Sequence, residues 1–219
     1  MLPDVSIIVT CYNYGSYLER CLRSIYNQKH TDYFSYEVIV VNDCSSDETI
    51  YVCNKFEKIV DDLKVINHIK NQGISKSCNE AIQASNSRYI VRIDADDYVA
   101  RHFIFLLKYA LDKNRYCQAF CCDYIEVDDF ENPIRQVSAL EEEIACAVMY
   151  RKEFLLDIGL YNEEFKYREG HELNQRFKAK YKMGYLPIPL YYARKHGKNR
   201  SNDNEICEYD NKLKEEKNE

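Results

Sequence analysis

Tyr89-Ile90-Val91-Arg92-Ile93-Asp94-Ala95-Asp96-Asp97-Tyr98 is the stretch that decides how this chain folds. A short run rich in β-branched residues reads as a buried strand, and it stops in three carboxylates within four positions. Acids crowded where a buried strand ends repel one another unless a cation or a polyhydroxy ligand lies between them. Mg2+ and Mn2+ accept one or two protein carboxylates and fill their remaining positions with water and phosphate oxygens. The pattern predicts a metal-bridged nucleotide site at the carboxyl end of a parallel strand.

Upstream, the same grammar repeats. Val5-Ser6-Ile7-Ile8-Val9-Thr10 predicts a buried strand, the turn Cys11-Tyr12-Asn13-Tyr14-Gly15 follows, and a helix places Leu18, Cys21, Leu22 and Ile25 on one face. Residues 36–41 read as a second strand ending in the polar loop Asn42-Asp43-Cys44-Ser45-Ser46-Asp47, with Ser46 or Asp47 as helix N-cap. The next helix is expected to turn Ile50, Cys53, Phe56, Ile59, Val60 and Leu63 inward. A short strand over 64–68, the turn Asn71-Gln72-Gly73 and a helix over 74–84 lead to the opening stretch. Strands alternating with helices imply right-handed βαβ units and a mainly parallel sheet covered on both faces. Ligands bind beyond the carboxyl ends of such strands, so the loops at 10–13, 43–47, 70–73 and 94–97 are expected to meet along one edge.

Downstream the pattern changes. It predicts a helix over 103–111, a strand over 119–127, a hairpin turn at 128–133 and a strand over 145–150. A short helix over 151–158 closed by Gly159, a helix over 172–182 and a strand over 188–193 complete the series. The chain is polar and basic from Lys195 and charged after Asn211, as a mobile tail would be. With no internal repeat or linker, the expectation is one domain over 1–205, a donor half (1–98) and an acceptor half (99–205), followed by a charged tail (206–219).

The 219 residues are 46% hydrophobic and 30% charged, as in ordinary globular proteins. A net charge of -6 without a basic, aromatic-rich block argues against nucleic acid as a partner. The ten cysteines fall in predicted strands, helices and loops without metal-finger spacing, and no signal peptide or membrane span is read. These features predict reduced thiols and a cytoplasmic protein, with at most peripheral contact at the inner face of a membrane. Twenty tyrosines and no tryptophan are unusual, but composition alone assigns them no role.

The motifs Val5 to Asn13, Val38 to Asp47, Asn71-Gln72-Gly73 and Ile93-Asp94-Ala95-Asp96-Asp97 together resemble family 2 glycosyltransferases, inverting nucleotide-sugar enzymes of the GT-A fold. A lone D-x-D is common by chance; four ordered motifs at strand ends are specific. The resemblance is close over roughly the first 110 residues and looser through Gly159 to Phe165 and Glu172 to Arg176. It implies that Asp96 binds the divalent cation, Mn2+ or Mg2+, that bridges the donor diphosphate, with Asp94 and Ala95 nearer the ribose. Asp43 matches the acid that contacts the base or ribose. Thr10, Tyr12 and Asn13 match the loop that cradles the base, and Lys70 and Asn71 match polar base contacts. Cys78 stands where many relatives carry arginine, and Lys76 is the nearest substitute charge. His196, in the basic segment 194–200, resembles a position that completes the metal shell. Plainer roles compete for four of these residues: a helix cap for Asp97 and Asp47, an Asx turn for Asp43, a solvated basic tail for His196.

The acceptor side departs from the family. Inversion needs a general base for the acceptor hydroxyl, usually the Asp of a Glu-Asp pair before a helix. Here the stretch reads Arg168-Glu169-Gly170-His171-Glu172, with Gly170 in the Asp position. Glu169 is the first candidate base, followed by Glu172 and His171. The sequence therefore points to a metal-dependent transferase that moves a sugar from a nucleotide-sugar donor, UDP first, to a glycan or lipid-linked acceptor in surface polysaccharide synthesis. A catalytically silent sugar-nucleotide or glycan-binding relative is the alternative. A nucleotidyltransferase fits less well, because Thr10 to Gly15 lacks a Gly-rich phosphate loop with its lysine.

Overall fold

β1 (Val5–Cys11) is buried along its whole length, as expected of a central strand made almost entirely of apolar and small residues. The computed structural model describes residues 2–197, 199 and 206–215. β1 pairs in parallel with β2 (Tyr36–Asn42) on one side and β4 (Tyr89–Asp94) on the other, and β2 pairs in parallel with β3 (Leu63–Asn67). Register places Thr10 beside both Val41 and Asp94. The first-strand loop and the acid motif therefore leave the sheet at one level.

Strand alternation divides the core. Val5, Ile7, Val9, Val38, Val40, Val91 and Ile93 pack in one layer with α1 (Gly15–Tyr26), α2 (Thr49–Glu57) and α4 (Phe103–Lys113). Ile8, Ile39, Val41 and Ile90 pack in the other with α3 (Ile74–Ala84) and α6 (Glu169–Lys180). Each fully buried aliphatic side chain contributes about 1.5–3 kcal/mol relative to exposure. Gly15 is required where α1 meets α2: a Cβ there would lie 2.5 Å from the Thr49 amide nitrogen.

Beyond β4 the sheet becomes mixed. Its order is β3-β2-β1-β4-β8-β6-β9-β5, with β7 (Pro133–Val137) paired to β6 (Ala119–Val127) as a hairpin. β8 (Val148–Arg151) is antiparallel to both β4 and β6. β9 (Met183–Arg194) runs parallel to β6, and β5 (Tyr98–Val99) caps the edge antiparallel to β9. α5 (Lys152–Asp157) follows β8, and α7 (Ile206–Glu215) is the last described element.

Several expectations need correction. Ile50 and Ile59 are exposed, because the run mixes two faces of α2 with the turn after it. β8 starts at Val148, since Ala147 adopts a φ of +62° that a continuing strand does not tolerate. Residues 206–215 form a helix, where charge-rich composition suggested an unstructured tail. Its Asp210 pairs with Arg168 at 2.7 Å, and Tyr209 packs on Phe165 and Tyr167.

Candidate functional site

The carboxyl ends of β1, β2 and β4, the turn before α3 and the start of α6 border one cleft of about 1010 Å³. Thr10, Tyr12, Asp43, Asn71 and Asp94 to Asp96 all line it. Tyr12 keeps half of its surface exposed and offers a free ring face, while Thr10 is almost buried. Asn13 does not line the cleft. At a φ of +58° its Oδ1 accepts the Ser46 N–H (2.8 Å) and its own N–H donates to Ser45 Oγ (3.0 Å). It stitches two loops together, a role suited to the left-handed tolerance of Asn. Lys70 is exposed and also lies off the cleft, so the polar contact expected there falls to Asn71 alone.

Asp43 is 4% exposed. Its Oδ1 accepts the Gln72 N–H at 2.8 Å, its Oδ2 accepts the Gly73 N–H at 2.9 Å, and His68 Nδ1 lies 2.7 Å from Oδ1. One carboxylate thus fixes the turn into α3, in which Gly73 needs a φ of +85°. Asp47 works similarly: its oxygens accept the Gly15 N–H (2.7 Å) and the Thr49 N–H (3.0 Å), tying the starts of α1 and α2.

At the end of β4 the three acids separate. Asp94 Oδ1 accepts Arg92 Nε at 2.8 Å. Asp96 Oδ2 lies 3.0 Å from His196 Nε2 and accepts Asn199 Nδ2 at 3.2 Å. The His196 ring is stacked on Tyr17 (4.7 Å between centroids) and lies edge-on to Tyr14 (5.6 Å). Asp97 does not cap a helix. It is buried and accepts the Tyr191 hydroxyl (2.6 Å) and the Arg194 N–H (2.8 Å), which pins β9 to the acid motif. Burial, reinforced by the charges of Asp96 and Asp94, pushes its carboxyl well above the ordinary range.

Asp96 lines the cleft; His196 does not, but borders a smaller pocket with Asp128 and Asp129 and turns its imidazole nitrogen to the Asp96 carboxylate. That set fits Mn2+ or Mg2+ at a nucleotide site, where the protein supplies one or two ligands and phosphate and water supply the rest. Among the described residues no group of three or more His, Cys, Asp or Glu is arranged to hold an ion, so the chain offers no closed metal cage. Lys198 and Arg200 of the basic segment lie outside the described residues.

Glu169, 5% exposed, stands at the start of α6 and also lines the cleft. Its Oε1 accepts Arg92 Nη1 at 2.9 Å, leaving Oε2 without a hydrogen-bond partner among the described residues. Arg92 therefore bridges Asp94 and Glu169, and sequence reasoning missed it. The signal was present: an arginine inside a buried strand must find carboxylates, because an unpaired buried charge is too costly. Gly170 leaves no room for the usual aspartate, since a Cβ there would lie 2.4 Å from the Ala145 Cβ. Glu172 is corrected as a candidate: it is 2% exposed, lies off the cleft, and pairs with Arg176, which also donates to the Leu160 carbonyl. His171 does line the cleft, with Nε2 donating to the Glu143 carbonyl (3.1 Å) and Nδ1 unpartnered among the described residues. Burial, and then the charge of Arg168, hold its pKa below the ordinary value, which favours the neutral ring.

Comparisons with known proteins bear on the family and the fold. The profile of Glycosyl transferase family 2 matches residues 6–187. The putative glycosyltransferase EpsH of Bacillus subtilis (strain 168) is 36% identical over 97 residues, 44% of this chain and 27% of that protein. The putative teichuronic acid biosynthesis glycosyltransferase TuaG of the same organism is 34% identical over 95 residues, 43% of this chain and 36% of that protein. The matches thus span only about a third of these relatives' lengths. In structure the chain superposes on S. aureus TarS 1-349 in complex with UDP-GlcNAc with a TM-score of 0.78. Identity there is 23%, over 91% of this chain and 61% of that one. The mannosyltransferase PcManGT of Pyrobaculum calidifontis, in complex with GDP-Man and Mn2+, gives a TM-score of 0.69 at 18% identity, over 91% and 59% of the two chains. Both likenesses are of fold. Among the described residues no helix is long and apolar enough to cross a membrane.

Proposed function

Since this chain belongs to glycosyl transferase family 2, we propose that it transfers a sugar from a UDP-sugar to a hydroxyl of a glycan or lipid-linked acceptor, with inversion and with a divalent cation. The observation that carries this reading is the single cleft that Asp43, Asp94, Asp96 and Glu169 all line. Residues 1–98 form the donor half and 99–205 the acceptor half.

Each residue has a task. The free face of Tyr12 stacks on the base, with the Thr10 hydroxyl and Asp43 at its polar edge. Asp94 and Ala95 lie by the ribose. Asp96 and His196 would hold Mn2+ or Mg2+, which when bound neutralises charge on the departing diphosphate. Glu169 Oε2 takes the acceptor hydroxyl proton while that oxygen bonds to the anomeric carbon; the bond from that carbon to the diphosphate breaks, and UDP leaves with its electron pair. Arg194, Lys195 and Asn199 line the cleft beside Asp96, suitably placed to exclude water from the activated sugar.

The names of relatives, TuaG and the chondroitin synthase of Pasteurella multocida (35% identical over 98 residues), support polysaccharide as the product class. Such an acceptor implies work in the cytoplasm, at most touching a membrane face. One observation favours a silent, sugar-nucleotide-binding protein: Ala145 occupies the space of the usual base. Thermal-shift and turnover assays over UDP-, GDP- and TDP-sugars with Mn2+ separate the two. Stabilisation by one donor with turnover cut about a hundredfold or more in Glu169→Gln supports transfer; stabilisation without turnover supports the silent reading; neither refutes both.

A further inference from the structure

We infer that Arg92 is a positioning residue for the transfer: it locks the Glu169 carboxylate to the Asp94 side of the cleft through Oε1 and reserves Oε2 for the acceptor hydroxyl. The inference rests on the transfer reading above and extends it to a residue inside a strand.

Three observations carry it. Arg92 has 6% of its side chain exposed and meets Asp94 at 2.8 Å and Glu169 at 2.9 Å, so one planar guanidinium spans donor-side and acceptor-side acids. Its location is fixed, because β4 is held by β1 and β8 on either side. The wall beside it is also fixed: Gly170 lies against Ala145, so the first turn of α6 cannot slide toward β8 without collision. A carboxylate oxygen held by a rigid, charged N–H donor loses rotational freedom, which fixes where the other oxygen points. The groups facing this pair are Asp94 on β4, Cys78 on α3, Glu143 and Cys146 before β8, Tyr161 after α5, and Arg168 and His171 on α6. Arg92 is the cation that bonds Glu169 directly, so its removal leaves the carboxylate facing Asp94 without compensation.

The test uses the donor that gives turnover in the screen above, with water or the native acceptor, in the full chain with Mn2+. Arg92→Met is expected to lower kcat about a hundredfold or more while donor KM stays within about threefold. Arg92→Lys keeps a cation but cannot span both acids as the planar guanidinium does, so it should recover part of the rate; it carries the test if the methionine variant does not fold. In a Glu169→Gln background, adding Arg92→Met should cost less than about threefold, because the base it serves is gone. A donor KM that changes as much as kcat, or an equal loss in both backgrounds, would overturn the positioning role while leaving the transfer reading intact. A wild type inert with every donor would remove both.

Discussion

Asp43→Asn is the substitution whose consequence can be worked out most fully. The side chain keeps its size, but one of its two oxygens becomes an NH2 donor. If the amide oxygen stays toward Gln72 and His68, the new NH2 faces the Gly73 N–H, 2.9 Å from the replaced atom; flipped, it faces the Gln72 N–H and His68 instead. Either way a charge-assisted hydrogen bond, about 1.5–3 kcal/mol, is lost, and a partly buried N–H is left unsatisfied at about 1–3 kcal/mol. The sum, about 2.5–6 kcal/mol, corresponds to a fall in Tm of about 5–24 °C for a chain of this size. Thermal unfolding followed by circular dichroism measures it, with Lys70→Ala as control, since that exposed side chain off the cleft should change little. UDP affinity should fall with Asp43→Asn and not with Lys70→Ala. If the melting temperature of Asp43→Asn stays within about 2 °C of wild type, the carboxylate does not hold the α3 turn.

Two further outcomes follow from packing and charge. Gly170→Ala should cost about 1–3 kcal/mol by overpacking against Ala145, and Ala145→Gly should restore most of the loss; a Gly170→Ala protein as stable as wild type would mean that the start of α6 is free to shift. Asp47 has its carboxyl below the ordinary range because, although burial raises it, the Thr49 and Gly15 hydrogen bonds favour the charge more strongly. A lowered folded pKa gives stability that is complete above the unfolded value near ~3.9 and lost as pH falls through the folded one. Urea midpoints of Asp47→Asn should therefore lie below wild type at neutral pH and converge with it in acid, and a constant gap across pH would refute the linkage.

The donor half was legible because its signals are local. Val5 to Thr10, Val38 to Val41 and Tyr89 to Ile93 announce buried strands, and topology alone brings their polar ends together. The acceptor half depends on contacts that sequence spacing does not encode. Glu169 and Glu172 look equivalent on a helix start, and only the packing of Gly170 on Ala145 and the Arg176 pair put the first on the cleft and the second off it. Asp97 resembled a helix cap because α4 follows it, yet β9, nearly a hundred residues away in sequence, claims both of its oxygens. α7 was hidden by its own charge: what orders it is Tyr209 on two aromatic rings and Asp210 on Arg168, all contributed by the segment before α6.

The central claim is that Asp96, with His196, makes donor binding depend on a divalent cation. Titration calorimetry of UDP into the wild-type chain and into Asp96→Ala, each with and without Mn2+, tests it most directly. The account predicts that Mn2+ tightens UDP binding by at least about tenfold in wild type and leaves it unchanged in Asp96→Ala. An Asp96→Ala protein that gains as much affinity from Mn2+ as wild type would contradict it.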